Sequence, residues 1–122
     1  MAKKSLTERP TSTRDYAYTD YISFTREEFV RDYPLTSRSA VTTIGVLLAG
    51  LVPHVGWIVS VTDALCGLSS SKKTQMMNEI YTAIARFPQY STIMISSKFV
   101  AYQNGSQGLF WMPGNDYMVL YS

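Results

Sequence analysis

The chain has 122 residues, a formal net charge of +2, 46% hydrophobic and 16% charged residues, and one cysteine. That length fits one domain with a core of its own, and the lone thiol of Cys66 excludes an intramolecular disulfide. The small net charge, spread among acids, forms no single-sign stripe, so no nucleic-acid partner is expected.

The charge is unevenly placed. Lys3, Lys4, Arg9, Arg14, Arg26, Arg31 and Arg38 crowd the first third together with Glu8, Asp15, Asp20, Glu27, Glu28 and Asp32. Beyond it stand only Asp63, Lys72, Lys73, Glu79, Arg86, Lys98 and Asp116. A soluble monomer carries more surface charge than that. Part of the C-terminal two-thirds is therefore expected to be covered by a second subunit, a protein partner or membrane lipid, with a homo-oligomer as one form.

Residues 1–14 read as a polar arm with no core of its own, and residues 15–122 as a single α+β domain. The opening lacks the apolar stretch of about 7–15 residues that marks a signal peptide. That leaves a cytoplasmic protein or one whose leader was removed. Asp15 to Phe24 is rich in β-formers and reads as a strand. Thr25-Arg-Glu-Glu28 has the spacing of a capping box and opens a helix over about residues 26–32, which Pro34 stops. Ser37 or Ser39 can cap the next helix.

From Ser39 to Val61 no side chain is charged, and Pro53, His54 and Gly56 break the run once. About 20 apolar residues can cross a bilayer as one helix. Bent at Pro53–Gly56, the run predicts two helices, about 38–51 and 53–66, the second ending on Gly67 as a left-handed cap. The hairpin over residues 39–66 is either buried in a core or subunit interface, or enters lipid. Its candidate contact residues are Gly45, Ala49 and Gly50, small enough for close helix approach, the break residues Pro53, His54 and Gly56, and Trp57, which suits a membrane interface.

Met77, Ile80, Tyr81, Ile84 and Phe87 recur at helical spacing and predict an amphipathic helix over about 72–87, closed by Pro88. Period two then takes over in Ile93, Ile95, Phe99 and Ala101, a strand over 92–102. Asn104-Gly105 signals a hairpin turn. Leu109 to Met112 form a second strand, Pro113-Gly-Asn-Asp116 a turn, and Tyr117 to Tyr121 a third. The expected fold is α+β: N-terminal arm and strand, central helical hairpin plus amphipathic helix, and a C-terminal three-stranded antiparallel meander. Phe110, Trp111, Tyr117 and Tyr121 are its candidate partner-binding aromatics.

His54, Asp63 and Cys66 are the residue types of a thiol triad, with Asp63 and Cys66 on one helical face. They sit in the most apolar region without a flanking base, so a turn histidine and a packed cysteine are expected. One histidine and one cysteine do not make a zinc site, and the N-terminal acids match no calcium loop. Phosphate-binding and nucleophile-elbow motifs are absent from the sequence. No catalytic residue, cofactor, metal or small-molecule substrate is assigned.

The segment Leu48-Ala-Gly-Leu-Val-Pro53-His-Val-Gly56-Trp-Ile-Val-Ser-Val-Thr-Asp63-Ala-Leu, followed by Asn78-Glu-Ile-Tyr-Thr-Ala83, resembles the glycine-rich "pre-toxin" stretches of polymorphic toxins and bacteriocin-like small exported proteins of Gram-positive bacteria. The resemblance covers about 45 residues. It implies a secreted or cell-surface, membrane-active or antagonistic protein without defined catalytic residues. The functions expected are a non-enzymatic, toxin-like or membrane-active protein acting through the hairpin, a self-assembling structural subunit that lends its N-terminal arm to a neighbour, or a small protein-binding or inhibitory module.

Overall fold

The computed structural model describes residues 2–35, 37 and 39–122. Among these, three helices pack on one face of a five-stranded sheet, a mixed α+β fold. The chain order is β1 (Lys3–Lys4), β2 (Tyr16–Tyr18), β3 (Ile22–Thr25), α1 (Arg26–Asp32), α2 (Ala40–Ala49), α3 (Ser70–Arg86), β4 (Thr92–Gln103) and β5 (Leu109–Tyr121).

The sheet is built around β4. Along one side it pairs antiparallel with β5, from Ile93 opposite Tyr121 to Gln103 opposite Leu109. Along the other, β3 and β2 lie end to end, Ile22 opposite Ile95 and Tyr18 opposite Lys98. β1 adds outside β2 in parallel. The expected strand over Asp15–Phe24 is thus split at Thr19. There the chain leaves the ladder and satisfies itself locally: Ser96 Oγ donates to the Thr19 carbonyl at 2.7 Å, and the Ser97 N–H donates to Thr19 Oγ1 at 3.1 Å.

Strand alternation sends Ile93, Ile95, Phe99 and Ala101 of β4, and Trp111 and Tyr117 of β5, to the inner face, where all are buried. Against them the helices place Phe29, Ile44, Leu48, Met76 and Ile80, each with no exposed surface. The capping box of α1 forms as the spacing requires, Thr25 accepting from the Glu28 N–H at 3.1 Å and Glu28 reaching back to the Thr25 N–H at 3.3 Å. Arg26 bonds the carbonyls of Phe87 and Tyr90, fastening the start of α1 to the end of α3. Ser69 caps α3 by accepting from the Lys72 N–H at 3.2 Å, so this helix starts two residues before the expected 72.

Three expectations are corrected. The helical hairpin over 39–66 does not form: α2 is its only helix, and the residues from Gly50 to Ser69 are turns and extended chain. Val55, Ile58, Val59, Val61 and Thr62 are β-branched and disfavour a helix, and the Trp111 end of β5 offers a strand edge instead. The Trp111 N–H donates to the Trp57 carbonyl at 2.8 Å, and Ile58 bridges to Trp111 in parallel. The expected first residue of the α2 helix, Arg38, lies outside the described residues.

Gly67 is the second correction, for its φ is not positive. The residue is small because β5 presses on it: a Cβ there would stand 2.5 Å from the Pro113 carbonyl oxygen and 2.7 Å from that of Gly114. Third, the meander has two strands rather than three. Pro113 to Asp116 do not turn the chain but bulge within β5, so that Gly114, Asn115 and Asp116 face the one residue Lys98. The Asn104-Gly105 hairpin stands, closed by the Asn104 N–H donating to the Gly108 carbonyl at 2.8 Å, with Gly105 and Gly108 taking the positive φ values that its loop demands.

Residues 2–14 belong to the fold. Leu6 is buried, Pro10 is buried, and the Trp111 indole N–H donates to the Glu8 carbonyl at 2.8 Å.

Candidate binding surface

Two stretches of surface carry exposed apolar side chains. The first is the charge-free lobe of α2 and the loop that follows. Gly45 is buried against the loop, its α-carbon so close to the Asp63 carboxylate that a Cβ would overlap it. Ala49 is half-buried, Gly50 is the exposed helix end, and Pro53, His54 and Gly56 lie on the loop, His54 and Gly56 exposed. Trp57 is half-buried and donates its indole N–H to the Leu6 carbonyl at 3.3 Å. Ala49, Pro53 and His54 share a shallow cleft of about 330 Å³ with Val52, Val55 and Ile58. Val46, Leu47 and Leu51 project outward.

The second stretch is the outer face of the sheet. The register that points Ile93, Ile95, Phe99, Ala101, Trp111 and Tyr117 inward points outward Met94, Lys98, Val100 and Tyr102 of β4, and Phe110, Met112, Met118 and Leu120 of β5. β2 adds Tyr16 and Tyr18, opposite Val100 and Lys98. Tyr21 leans over from the split between β2 and β3, its hydroxyl donating to the Met118 thioether at 3.0 Å. Among the described residues no helix covers this face, and Tyr21, Met112 and Leu120 are 40%, 39% and 42% exposed.

Rings and cations are interleaved there. Tyr16 and Tyr18 meet edge to face with centroids 6.1 Å apart, and Tyr102 and Phe110 do the same across β4 and β5 at 6.3 Å. Lys98 lies over the Tyr16 ring at 4.9 Å, Arg9 over Phe110 at 5.6 Å and Lys3 over Tyr18 at 5.7 Å. Among the described residues none of these three cations has a carboxylate within ion-pair distance. Burial pushes the Tyr18 phenol above its usual value, and the Asp116 carboxylate adds to the shift, so Tyr18 is neutral there.

No family model, curated protein or solved structure matches this chain.

Of the aromatics expected to bind partners, only Phe110 is on this surface. Trp111 and Tyr117 are core residues, and Tyr121 is half-buried on the inner face, where it stacks on Tyr90 at 5.7 Å. The outer-face residues could have been found from one signal. Residues 109–112 and 117–121, either side of Pro113-Gly-Asn-Asp116, are apolar at both strand parities, the pattern of a strand with both faces to cover.

The thiol triad types are not assembled. Asp63 accepts from the Leu65 N–H at 2.8 Å in a local turn, and His54 stands exposed in its cleft. Cys66 is exposed, yet desolvation pushes its thiol above the usual value and the Asp63 carboxylate pushes it further, the opposite of what a nucleophilic thiolate needs. Among the described residues no group of three His, Cys, Asp or Glu could hold a metal ion, and no helix is long and apolar enough to cross a membrane.

Proposed function

We propose that this chain is a non-enzymatic docking protein whose working surface is the uncovered face of its sheet. One observation carries the reading: the helices pack on the inner face of β4 and β5, whereas the outer face presents Met112, Leu120 and Tyr21 beside half-buried rings with no helix over them among the described residues. Contiguous apolar surface of that kind marks an interaction site in a soluble domain. The Met-rich composition suits it, since flexible thioethers adapt to more than one contact shape. Cys66, with its raised thiol, and the separately engaged Asp63 support a role that needs no chemistry.

The charge-free lobe favours a second reading, a membrane-active protein of the kind the pre-toxin resemblance implies. It would act through Val46, Leu47 and Leu51 rather than a helical hairpin. A neutral solvatochromic dye such as Nile red separates the two. Met112→Glu with Leu120→Glu removes the dye signal if the sheet face is the docking surface, and Val46→Glu with Leu47→Glu leaves it. The converse pattern refutes the sheet-face reading. All four side chains point outward, so circular dichroism and Tm are expected to stay near those of the parent.

A further inference from the structure

We infer that the open sheet face docks on the headgroup region of an anionic lipid bilayer. This rests on the sheet-face reading above and names its occupant. The argument is charge complementarity on an amphipathic plane. Lys3, Arg9 and Lys98 stand on the rings of Tyr18, Phe110 and Tyr16, and no carboxylate neutralises them at ion-pair distance among the described residues. Three acids stand near these cations without reaching ion-pair distance. Asp116 lies 3.7 Å from Lys72, Glu8 accepts from the Ser5 N–H, and Asp20 lines a pocket together with Glu8, Lys3, Tyr18 and Tyr21. Val100 and Met112 lie among the cations, and Met118 and Leu120 extend the apolar surface along β5 past Lys98, side chains that hydrocarbon solvates well. Tyrosines at that level, with an apolar ring and a polar tip, are the residues that settle at the boundary of acyl chain and headgroup. Long cationic side chains reach past them to lipid phosphates.

Two other occupants fit less well. Two copies of this face, packed about a two-fold axis, would bring their own cations together. Single-stranded nucleic acid needs free ring faces for base stacking, and here cations already lie over the faces of Tyr16, Tyr18 and Phe110. Thioethers and aliphatic groups also offer bases little.

The test is flotation of the full chain with phosphatidylcholine vesicles and with vesicles containing phosphatidylglycerol, at low and high salt. Binding is expected only with the anionic vesicles and is expected to weaken with salt. Lys3→Gln and Lys98→Gln should each cost about fivefold in partitioning, from about 1 kcal/mol per surface cation. Arg9 is left intact because it also bonds the Gln107 and Leu109 carbonyls of the hairpin loop. Met112→Glu with Leu120→Glu should abolish binding, and Val46→Glu should not. Equal binding to both vesicle types overturns the inference. So does a lipid-indifferent dimer, or a complex with a single-stranded oligonucleotide, that Met112→Glu disrupts, but either one leaves the sheet-face reading standing. Binding lost only with Val46→Glu overturns both.

Discussion

Gly45 shows how a single missing side chain sets the shape of the lobe. It sits in the middle of α2, where glycine costs about 1 kcal/mol relative to alanine, so its place there needs another reason. The reason is Asp63, whose carboxylate occupies the volume that a Cβ would take while accepting from the Leu65 N–H at 2.8 Å. The Ala64 N–H meanwhile donates to the Gly45 carbonyl at 2.9 Å. Gly45→Ala must expel the carboxylate and break that turn, which is expected to cost about 1–3 kcal/mol despite the gain in helix propensity. Asp63→Ala frees the volume, so the double variant should be less destabilised than the sum of the two single ones. Denaturant midpoints for the four proteins of the cycle give the coupling. Additive losses would mean that Asp63 is not what excludes a side chain at Gly45.

At the scale of elements, what could be read from the sequence follows from how strongly each local signal commits the chain. The capping box and the single helical period of residues 72–87 each have one solution, and α1 and α3 form where they indicate. The run after Gly50 has two. Its apolar residues suit a helix face and a strand equally, and the choice falls to Trp111, remote in sequence, whose backbone it pairs with. Pro113-Gly-Asn-Asp116 carries turn residues, yet a bulge uses the same chemistry. The Asn115 side chain accepts from the Ser69 N–H at 2.9 Å just before α3, a contact with no trace in either segment alone. The same distance hid which face of β5 stays uncovered: its sequence shows apolar residues at both parities, but what covers one side decides which parity faces out. The docking of α3 on β5 can be tested through two tyrosines. Tyr117 donates to Glu79 at 2.5 Å, and burial together with that bond raises its phenol well above the usual value. Burial, with the Glu79 charge second, pushes Tyr121 up to about 12, and its buried hydroxyl has no partner among the described residues. Tyr117→Phe should therefore lose about 1.5–3 kcal/mol, whereas Tyr121→Phe should be neutral or stabilising. Both phenols hold their protons more tightly when folded. Their contribution is complete below the unfolded value of about 10 and is lost as pH rises from there toward about 12. Thermal melts across that range should show a smaller alkaline loss for Tyr121→Phe than for the parent, and an equal loss would contradict the assignment.

For the whole molecule, the decisive contacts join its two ends. The arm that composition sets aside as polar provides carbonyl acceptors for both tryptophans, at Leu6 for Trp57 and Glu8 for Trp111. Arg9 meanwhile bonds the carbonyls of Gln107 and Leu109 in the hairpin loop. Asp15 fixes the far end of the arm. It accepts from the Thr11 and Ser12 N–H groups and pairs with Lys4 at 3.3 Å, and those contacts, the Thr11 bond foremost, hold its carboxyl below the usual value against desolvation. Such tight use within one chain argues against an arm free to complete a neighbour's sheet. Removing residues 2–10 would uncover Trp111, which has no exposed surface, strand its indole N–H and delete the buried Leu6. An orphaned buried donor costs about 1–3 kcal/mol and a lost leucine about 1.5–3 kcal/mol, so the truncated chain should be several kcal/mol less stable. Its Tm should fall by the same amount at every protein concentration, with tryptophan emission shifted to the red before the main transition. If instead the truncation leaves Tm in place and changes only the mass in solution, the arm works in trans and the structural-subunit reading gains what the docking reading loses.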